Sequence, residues 1–566
     1  MDKKIQTTLK AADDLSRELP DSDTVGKPKQ NKQVGLFYFT WLGEHDYNDG
    51  DRTRFAPPLD VTKILAADPN AGYNLNSSVW GAHGVMHHWG EPLFGYYHSR
   101  DEWVMRRHIE MLTHADIDFL ILDATNTLIY EENAKMLLRL VDFYRDEGQN
   151  TPKVAFYTNT KSGQTAEKLY KAIYEPRYMP NSWYHLDGKP LIIANSKDCS
   201  SEIRSFFTIR EAQWPNEPAK HSGWPWMDFE RPQRIFCDEN GNPEIINVSV
   251  AQHPQIFHGD SAMYGEKANW GRSYHDGRAD LFEKSYAYGF NFAEQWEHAI
   301  KCDTPFVFVT GWNEWIMGRW AGSRPERPIG FVDCANVEYS RDCEPMRGGY
   351  FDNYYMQLIS YVRKYKGVKP ISPESSKLTI DISGEFDQWD AAEIEYRDFS
   401  NGAMPRHSTG YGGIYEDATG NNEIIRSKCA HDDSNIYFYA KVSKDITPPE
   451  YAGGTWLNLY LKTKSKNNYD FVANYFAMSE NITSLAKFTN GEFDIMAMLP
   501  YKCAGSEFMM SIPKEKIGLE GKEEFEIEFK WADGKTRFIS TEDFYTKGDC
   551  APIGRLNYVF KATCKV

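Results

Sequence analysis

The stretch PFVFVTGWNEW (305–315) places a short apolar run directly before a cluster of tryptophan, asparagine and glutamate. A run of this length, rich in β-branched and aromatic residues and bounded by glycine, is typical of a buried β-strand. We therefore expect a strand over 305–312. Asn313 and Glu314 then lie just beyond its carboxyl end, where a buried polar group needs a purpose.

Similar runs recur along the chain and alternate with segments of helical periodicity. The apolar runs lie at 34–41, 118–125, 153–160, 190–196, 206–212 and 246–253. Apolar residues share one helical face at 134–144 and 166–173, and a last helix is predicted over 350–365. Strands that alternate with helices pair in parallel through right-handed crossovers. Seven clear strands and one poorly marked strand predict a (β/α)8 barrel over 34–366.

The remaining segments differ from the predicted barrel in composition and in residue pattern. Residues 1–33 are polar and predict a flexible N-terminal segment, and the Pro- and Ser-rich residues 367–377 predict a linker. Beyond the linker, strands with alternating apolar residues dominate, at 435–442, 456–463 and 525–531. This pattern predicts an antiparallel β-sandwich over 378–566.

Composition restricts the classes of function. The net charge is −17, so there is no basic surface of the kind that binds a nucleic acid backbone. No stretch approaches the roughly 18 apolar residues of a transmembrane helix. Aromatic residues reach 14% of the chain, more than a core needs. Flat apolar faces beside polar groups suit carbohydrate, so we expect a sugar-handling protein with a polysaccharide or glycan as its partner.

Cysteine and histidine patterns predict neither a metal nor a cofactor. The nine cysteines show no CxxC pair and no zinc-type spacing. Cys334 and Cys343 could close a loop, but free buried thiols are favoured. A run of histidines also raises a metal hypothesis, but its spacing matches no standard site, and a histidine-rich loop over a sugar pocket is favoured. These histidines are His83, His87, His88 and His98.

The active site of such a barrel forms at the carboxyl ends of its strands. Polar and aromatic residues follow nearly every predicted strand. Amides and carboxylates bond hydroxyl groups, and indole faces pack on the C–H surfaces of sugars. The predicted substrate-binding residues are Trp41, His45, His88, Asn126, Asn159, Gln252, His253, Trp312, Asn313 and Trp315, and carboxylates at strand ends include Asp123, Glu211 and Glu314.

Several of these residues also have a structural interpretation. Asp123 could cap the helix that follows it. Gln252 and His253 precede a proline and could belong to a turn. The WPW loop at 224–226 could serve only to close the rim of the barrel.

The segment TGWNEW (310–315) resembles the NEW motif of glycoside hydrolase family 99, the endo-α-mannosidase family, and of relatives described as lipopolysaccharide glycosyltransferases. The segments FYFTW (37–41), DFLILDATN (118–126) and SVAQHP (249–254) agree with this resemblance, which extends to family 71 barrels and covers about 34–365.

In family 99 the motif continues as NEWHEG, and both glutamates act. Here it reads NEWIMG (313–318), so Glu314 matches the first glutamate and Met317 replaces the second. Methionine cannot transfer a proton, so in a glycosidase either the acid must come from elsewhere or the chemistry has changed. The candidates are Asp123, Glu211 and Glu294, and Asp123 is preferred because its position at a strand end directs it into the pocket.

The C-terminal half is similar to carbohydrate-binding module family 9, on the segments 378–398 and 432–445. The resemblance implies a sugar-binding sandwich, although few tryptophans remain there to bind one. A purely structural or docking role is the alternative.

The sequence thus predicts a glycoside hydrolase with Glu314 and Asp123 as its carboxylate pair. Two alternatives stay open: a glycosyltransferase of the same barrel type, against which the absence of a Gly-rich phosphate loop counts, and a non-catalytic glycan-binding protein. Because residues 1–33 are polar throughout, we expect no signal peptide there. By analogy alone, a periplasmic, cell-surface or extracellular location is expected. The oligomeric state is left open.

Overall fold

The computed structural model describes residues 4–45, 58–82, 84–252, 263–264, 270–280, 282–332, 334–374, 376–449, 454–465 and 468–563. The chain forms two compact units. The first, called the barrel unit, comprises Lys29–Lys366 and His407–Tyr415. The second, called the sheet unit, comprises Met1–Pro28, Gly367–Arg406 and Glu416–Val566.

Eight parallel strands form the centre of the barrel unit. In chain order they are β1 (Gln33–Tyr38), β2 (Phe119–Ala124), β3 (Lys153–Thr158), β4 (Lys189–Ala194), β5 (Thr208–Gln213), β6 (Gly223–Pro225), β7 (Pro243–Ser249) and β8 (Phe306–Thr310). Hydrogen-bonded neighbours run from β6 through β5, β4, β3, β2, β1 and β8 to β7. Among the described residues, every neighbouring pair of barrel strands is hydrogen-bonded except β6 and β7. The barrel is therefore closed apart from this one gap. It agrees with the parallel barrel predicted from the sequence.

Helices cover the outside of this barrel. They are α1 (Glu102–His114), α2 (Glu131–Asp146), α3 (Ser162–Leu169), α4 (Ser201–Phe206), α5 (Phe290–Cys302) and α6 (Asn353–Lys366). The apolar stripe of α2 is buried, as its periodicity predicts. Side-chain oxygens of Asp101 and Ser200 cap the first turns of α1 and α4.

The barrel unit also contains shorter secondary-structure elements. They are the helix Val61–Ala67 and the strands Met86–His88, Glu91–Pro92, His185–Leu186, Ile235–Cys237, Tyr274–His275, Arg278–Ala279, Ile316–Arg324, Arg327–Phe331 and Met346–Arg347. The residues His407–Tyr415, from the strands Arg406–Gly410 and Gly413–Asp417, also belong to this unit. The backbone N–H of Gly43 donates to the Tyr411 hydroxyl at 2.7 Å. This segment was expected in the C-terminal domain, and such long-range contacts place it on the barrel instead.

The sheet unit holds one continuous sheet of 12 strands. Its strands pair in the order Lys4–Ile5, Ile394–Arg397, Ile424–His431, Asn435–Val442, Glu507–Pro513, Glu492–Ala504, Ile482–Thr489, Phe471–Ala477, Thr455–Lys462, Phe525–Gly534 and Asp549–Ala551, with Tyr558–Ala562 also beside Phe525–Gly534. The sheet curls on itself, since the rings of Phe438 and Phe529 lie 5.5 Å apart. The long strand Glu492–Ala504 joins its two halves, so they form a single ladder where two separate sheets were expected.

The N-terminal segment, expected to be flexible, is part of the sheet unit. Lys4–Ile5 pairs in parallel with Ile394–Arg397, and Leu9 and Leu19 are buried. Pairing with a strand almost 400 residues away leaves no local pattern in the sequence. Among the helices of the described residues, none has the length and apolar character needed to cross a membrane.

Candidate active site

A cavity of about 320 Å³ opens at the carboxyl ends of the barrel strands. Its lining comes from β1 and β2 and from the loops after β1, β2, β5, β6 and β8. The lining residues are Phe37, Phe39, Trp41, His45, Met86, Asp123, Thr125, Asn126, Tyr130, Trp214, Trp226, Phe229, Glu314, Ile316, Met317, Gly318, Trp320, Val332 and Arg341. This is the end of the barrel at which parallel strands converge on a ligand.

Glu314 lies on one wall and is only 6% exposed. Its backbone N–H donates to Oδ1 of Asp342 at 2.7 Å, and its Oε2 lies 3.3 Å from Nη2 of Arg341. The Arg341 guanidinium also stacks over the Trp226 ring at 5.0 Å. The carboxylate therefore sits in an apolar wall with a buried cation beside it.

Asp123, near the end of β2, is 7% exposed and lines the same cavity. Its Oδ1 accepts a hydrogen bond from the backbone N–H of Thr125 at 2.9 Å, which fixes the orientation of the carboxyl group. The following helix, α2, begins after Tyr130, so Asp123 is not its cap.

The loop between β2 and α2 brings two further polar groups to the cavity, Asn126 and Tyr130. Thr127 and Tyr130 both have positive φ values, 71° and 44°, which cost energy for residues with a side chain. The Tyr130 hydroxyl lies 2.8 Å from Nε2 of His45, and the His45 ring packs edge-on against Trp41 at 5.3 Å.

Burial keeps this pair of side chains uncharged. It lowers the pKa of His45, against the smaller opposite effect of Glu44. It also raises the pKa of Tyr130, and the negative charges of Asp123 and Glu44 raise it further. The pair thus offers neutral donors and acceptors of the kind that hydroxyl groups bind.

Aromatic rings form most of the remaining wall. Seven of them line the cavity: Phe37, Phe39, Trp41, Trp214, Trp226, Phe229 and Trp320. Trp214 and Trp226 have ring centroids 5.3 Å apart. Of the predicted WPW loop, Trp224 and Pro225 belong to β6, the poorly marked eighth strand, and Trp226 follows it into the cavity.

The structure thus brings five sequence-predicted residues together at the cavity: Glu314, Asp123, Trp41, His45 and Asn126. It does not bring the three neighbours of Glu314 there. The Asn313 side chain donates to the Phe39 carbonyl and accepts from its N–H, at 2.9 and 2.8 Å. Trp315 stacks on Trp89 at 4.2 Å, and Trp312 is wholly buried. These side chains are packed within the protein and do not line the cavity.

The other two carboxylate candidates lie away from the cavity. Glu211 accepts a hydrogen bond from the backbone of Ser196 at 3.3 Å. Glu294, on α5, pairs with Arg231 at 2.7 Å. Neither residue lines the cavity.

The other predicted binding residues are also engaged elsewhere. Gln252 is 1% exposed and donates to the Asp228 carbonyl at 2.7 Å. His88 is buried against Tyr96, and Asn159 is half-buried outside the cavity. His253 and His83 lie outside the described residues. Cys334 and Cys343 are buried and are not joined by a disulfide.

Sequence reasoning missed Tyr130, Arg341, Trp214, Phe229 and Trp320. All five lie in loops or in a protruding hairpin, where neither strand nor helical periodicity locates a side chain. Trp320 does lie only five residues after the end of the TGWNEW motif.

Asp342, directly behind Glu314, was also missed. It is wholly buried, and burial raises its pKa to about 7, although Arg272 and Arg341 act in the opposite direction. A group that binds its proton more tightly in the folded state costs stability as the pH rises from its ordinary pKa of 3.8 to about 7.

Asp342→Asn is therefore expected to become more stable relative to the wild type as the pH rises through that window. The amide can still accept the Glu314 N–H but carries no charge to bury. The measurement is urea unfolding of both proteins at about pH 5 and about pH 8. Asp187→Asn, whose carboxyl is 67% exposed, is the matched control and should show no such trend. A stability difference for Asp342→Asn that does not change with pH would contradict the assignment.

Comparisons with known proteins are distant. No family model and no curated protein matches the chain. A solved glycoside hydrolase family 99 endo-α-mannosidase from Bacteroides thetaiotaomicron, in complex with BIS-TRIS propane, is similar at 13% identity and a TM-score of 0.33, covering 59% of this chain and 97% of its own. A second structure of such an enzyme from that organism is similar at 15% identity and a TM-score of 0.34, covering 58% of this chain and 96% of its own.

A third solved structure, described as a glycoside hydrolase-like protein, is similar at 12% identity and a TM-score of 0.27, covering 61% of this chain and 96% of its own. At these values, the likenesses assign the chain neither a family nor an activity.

Proposed function

We propose that the protein is a glycoside hydrolase that cleaves a glycosidic bond in a polysaccharide or complex glycan. The observation that supports this most is the pairing of Asp123 and Glu314 in one cavity that, among the described residues, is lined by eight phenylalanine, tyrosine and tryptophan rings. Glycoside hydrolysis needs two carboxyl groups around one bond, and stacking rings suit the apolar faces of sugars.

The two carboxyl groups have different surroundings, which suggests different roles. Glu314 lies beside the Arg341 guanidinium at 3.3 Å, so in this proposal it acts as the ionised group. Asp123, which lines the same cavity and whose Oδ1 accepts a hydrogen bond from the Thr125 backbone N–H, takes the role of proton donor to the leaving oxygen. His45 and Tyr130, both uncharged, bind sugar hydroxyl groups.

Met317 favours a second candidate, a glycan-binding protein without catalysis. Its side chain lines the cavity at the position where the resembled motif has a proton-donating glutamate. If Asp123 cannot supply the proton, the same aromatic cavity still binds sugar. The two functions differ in whether product is released.

The test is product release from a panel of plant, microbial and host glycans. Wild type is expected to release new reducing ends from at least one glycan, and Asp123→Asn to release them roughly 10²- to 10⁴-fold more slowly, because a positioned proton donor is worth that much. Asp187→Asn, an exposed change, is the control.

Thermal melts of each variant show whether it is folded. No release by wild type, together with a rise in its melting temperature on adding a glycan, would replace the hydrolase with the binding protein.

A further inference from the structure

The hairpin formed by Ile316–Arg324 and Arg327–Phe331 leaves the site directly after Glu314 and Trp315. Its first residues pair with Met86–His88, and Ile316, Met317 and Gly318 line the cavity. Trp320, two residues further along the strand, lines it as well. The hairpin therefore continues the cavity wall outward from the carboxylates.

Trp320 is 48% exposed. All 16 tryptophans fall within the described residues, and only Trp320 among them is exposed to this extent. Burying an indole is strongly favourable, so an indole left half in water at a cavity rim marks a surface that a ligand covers.

The Trp320 indole lies beside Gly318, on a strand that Arg319 anchors. Residues 318 and 320 share one face of the strand, and a Cβ at Gly318 would lie 3.0 Å from the indole Nε1. The neighbouring Arg319 is 2% exposed and donates to the carbonyls of Leu75, Gly81 and Ala82, at 2.8, 3.2 and 3.2 Å. A ring positioned in this way gives up little freedom when a ligand covers it.

We infer that Trp320 is the platform for a sugar ring adjacent to the sugar held at the carboxylates, and that the ligand is a glycan chain. A cavity of about 320 Å³ lies at the small end for ligand sites, so the rest of a chain must lie at its rim. The indole face packs against the C–H surface of that next sugar. The inference rests on the proposed function for its catalytic readout, but the binding readout below does not depend on turnover.

The experiment compares wild type, Trp320→Ala and Trp320→Phe. The probes are cello-, xylo-, manno- and malto-oligosaccharides of increasing length and the p-nitrophenyl glycosides of the same sugars. On the oligosaccharide that wild type cleaves, Trp320→Ala is expected to raise KM about 10-fold with little change in kcat, as loss of one stacked ring implies. Trp320→Phe should recover part of that loss. Cleavage of the p-nitrophenyl glycoside should not change.

Phe282→Ala is the matched control, since Phe282 is 49% exposed in the same unit and does not line the cavity. If Trp320→Ala impairs cleavage of the oligosaccharide and of the p-nitrophenyl glycoside equally, or impairs neither, Trp320 is not a sugar platform. The proposal that the protein is a hydrolase would not be affected.

If wild type cleaves neither these probes nor any glycan of the panel above, the proposed function fails, and the platform is decided by calorimetric affinity for the same oligosaccharides. An affinity about 10-fold lower in Trp320→Ala then supports it. Equal affinities, or no binding by wild type, overturn it.

Discussion

Replacing Glu314 with glutamine is expected to lower the rate of glycan cleavage on the order of 10⁴-fold, because essential catalytic groups cost this much when removed singly. Glutamine keeps the shape of the side chain but cannot carry the negative charge that the reaction needs. Its amide oxygen can still accept a hydrogen bond from the Arg341 guanidinium, now 3.3 Å from Oε2. The fold should therefore survive the change.

The sequence itself supplies the matched controls. Glu211→Gln and Glu294→Gln alter carboxylates that are engaged outside the cavity, with Ser196 and Arg231. Both variants should retain activity close to that of wild type. Initial rates on the glycan that wild type cleaves, with a thermal melt of each protein, form the measurement. Full activity in a folded Glu314→Gln variant would remove Glu314 from the mechanism.

The barrel, and the position of Glu314 beyond the end of a barrel strand, could be predicted because both depend on local sequence patterns. Apolar runs identify the strands, and a polar residue just beyond a run lies at the site end of a parallel barrel. The short strand β6 escaped this reasoning, since a strand of three residues containing glycine and proline has no apolar run.

The direction of each side chain beyond a strand could not be predicted. Residues 313–315 share one motif, yet only Glu314 reaches the cavity, while Asn313 bonds the Phe39 backbone and Trp315 stacks on Trp89. Alternation fixes directions only within a strand, and these residues follow the end of β8.

Contacts between distant parts of the chain were equally hidden. Arg341 reaches Glu314 from a segment without regular structure. It is positioned by backbone hydrogen bonds, from Gly311 N–H to the Arg341 carbonyl at 2.7 Å and from Cys343 N–H to the Gly311 carbonyl at 3.0 Å. No periodic signal marks such a segment, so the cation of the site was found only in the structure.

That segment also carries Glu344, whose replacement by alanine is expected to cost about 3–5 kcal/mol in the free energy of unfolding of the barrel unit. Its carboxyl group is wholly buried. It accepts hydrogen bonds from the Tyr97 hydroxyl at 2.7 Å and from the Trp315 indole N–H, and its Oε1 lies 3.0 Å from Nε2 of His108. Alanine would leave all three partners buried without their acceptor, and each buried unpaired donor is costly.

Glu344→Gln separates the lost hydrogen bonds from the lost volume, because the amide keeps one acceptor oxygen and should lose less stability than alanine. Glu131→Ala, which removes an exposed ion pair with Lys135 on α2, is the surface control and should change stability by less than about 0.5 kcal/mol. Urea unfolding followed by the helical circular dichroism signal reports on the barrel unit, which holds the long helices. Since Trp315 directly follows Glu314, a destabilised Glu344→Ala variant should also lose activity. If Glu344→Ala unfolds at the same urea concentration as Glu131→Ala, the buried carboxyl group does not hold this loop.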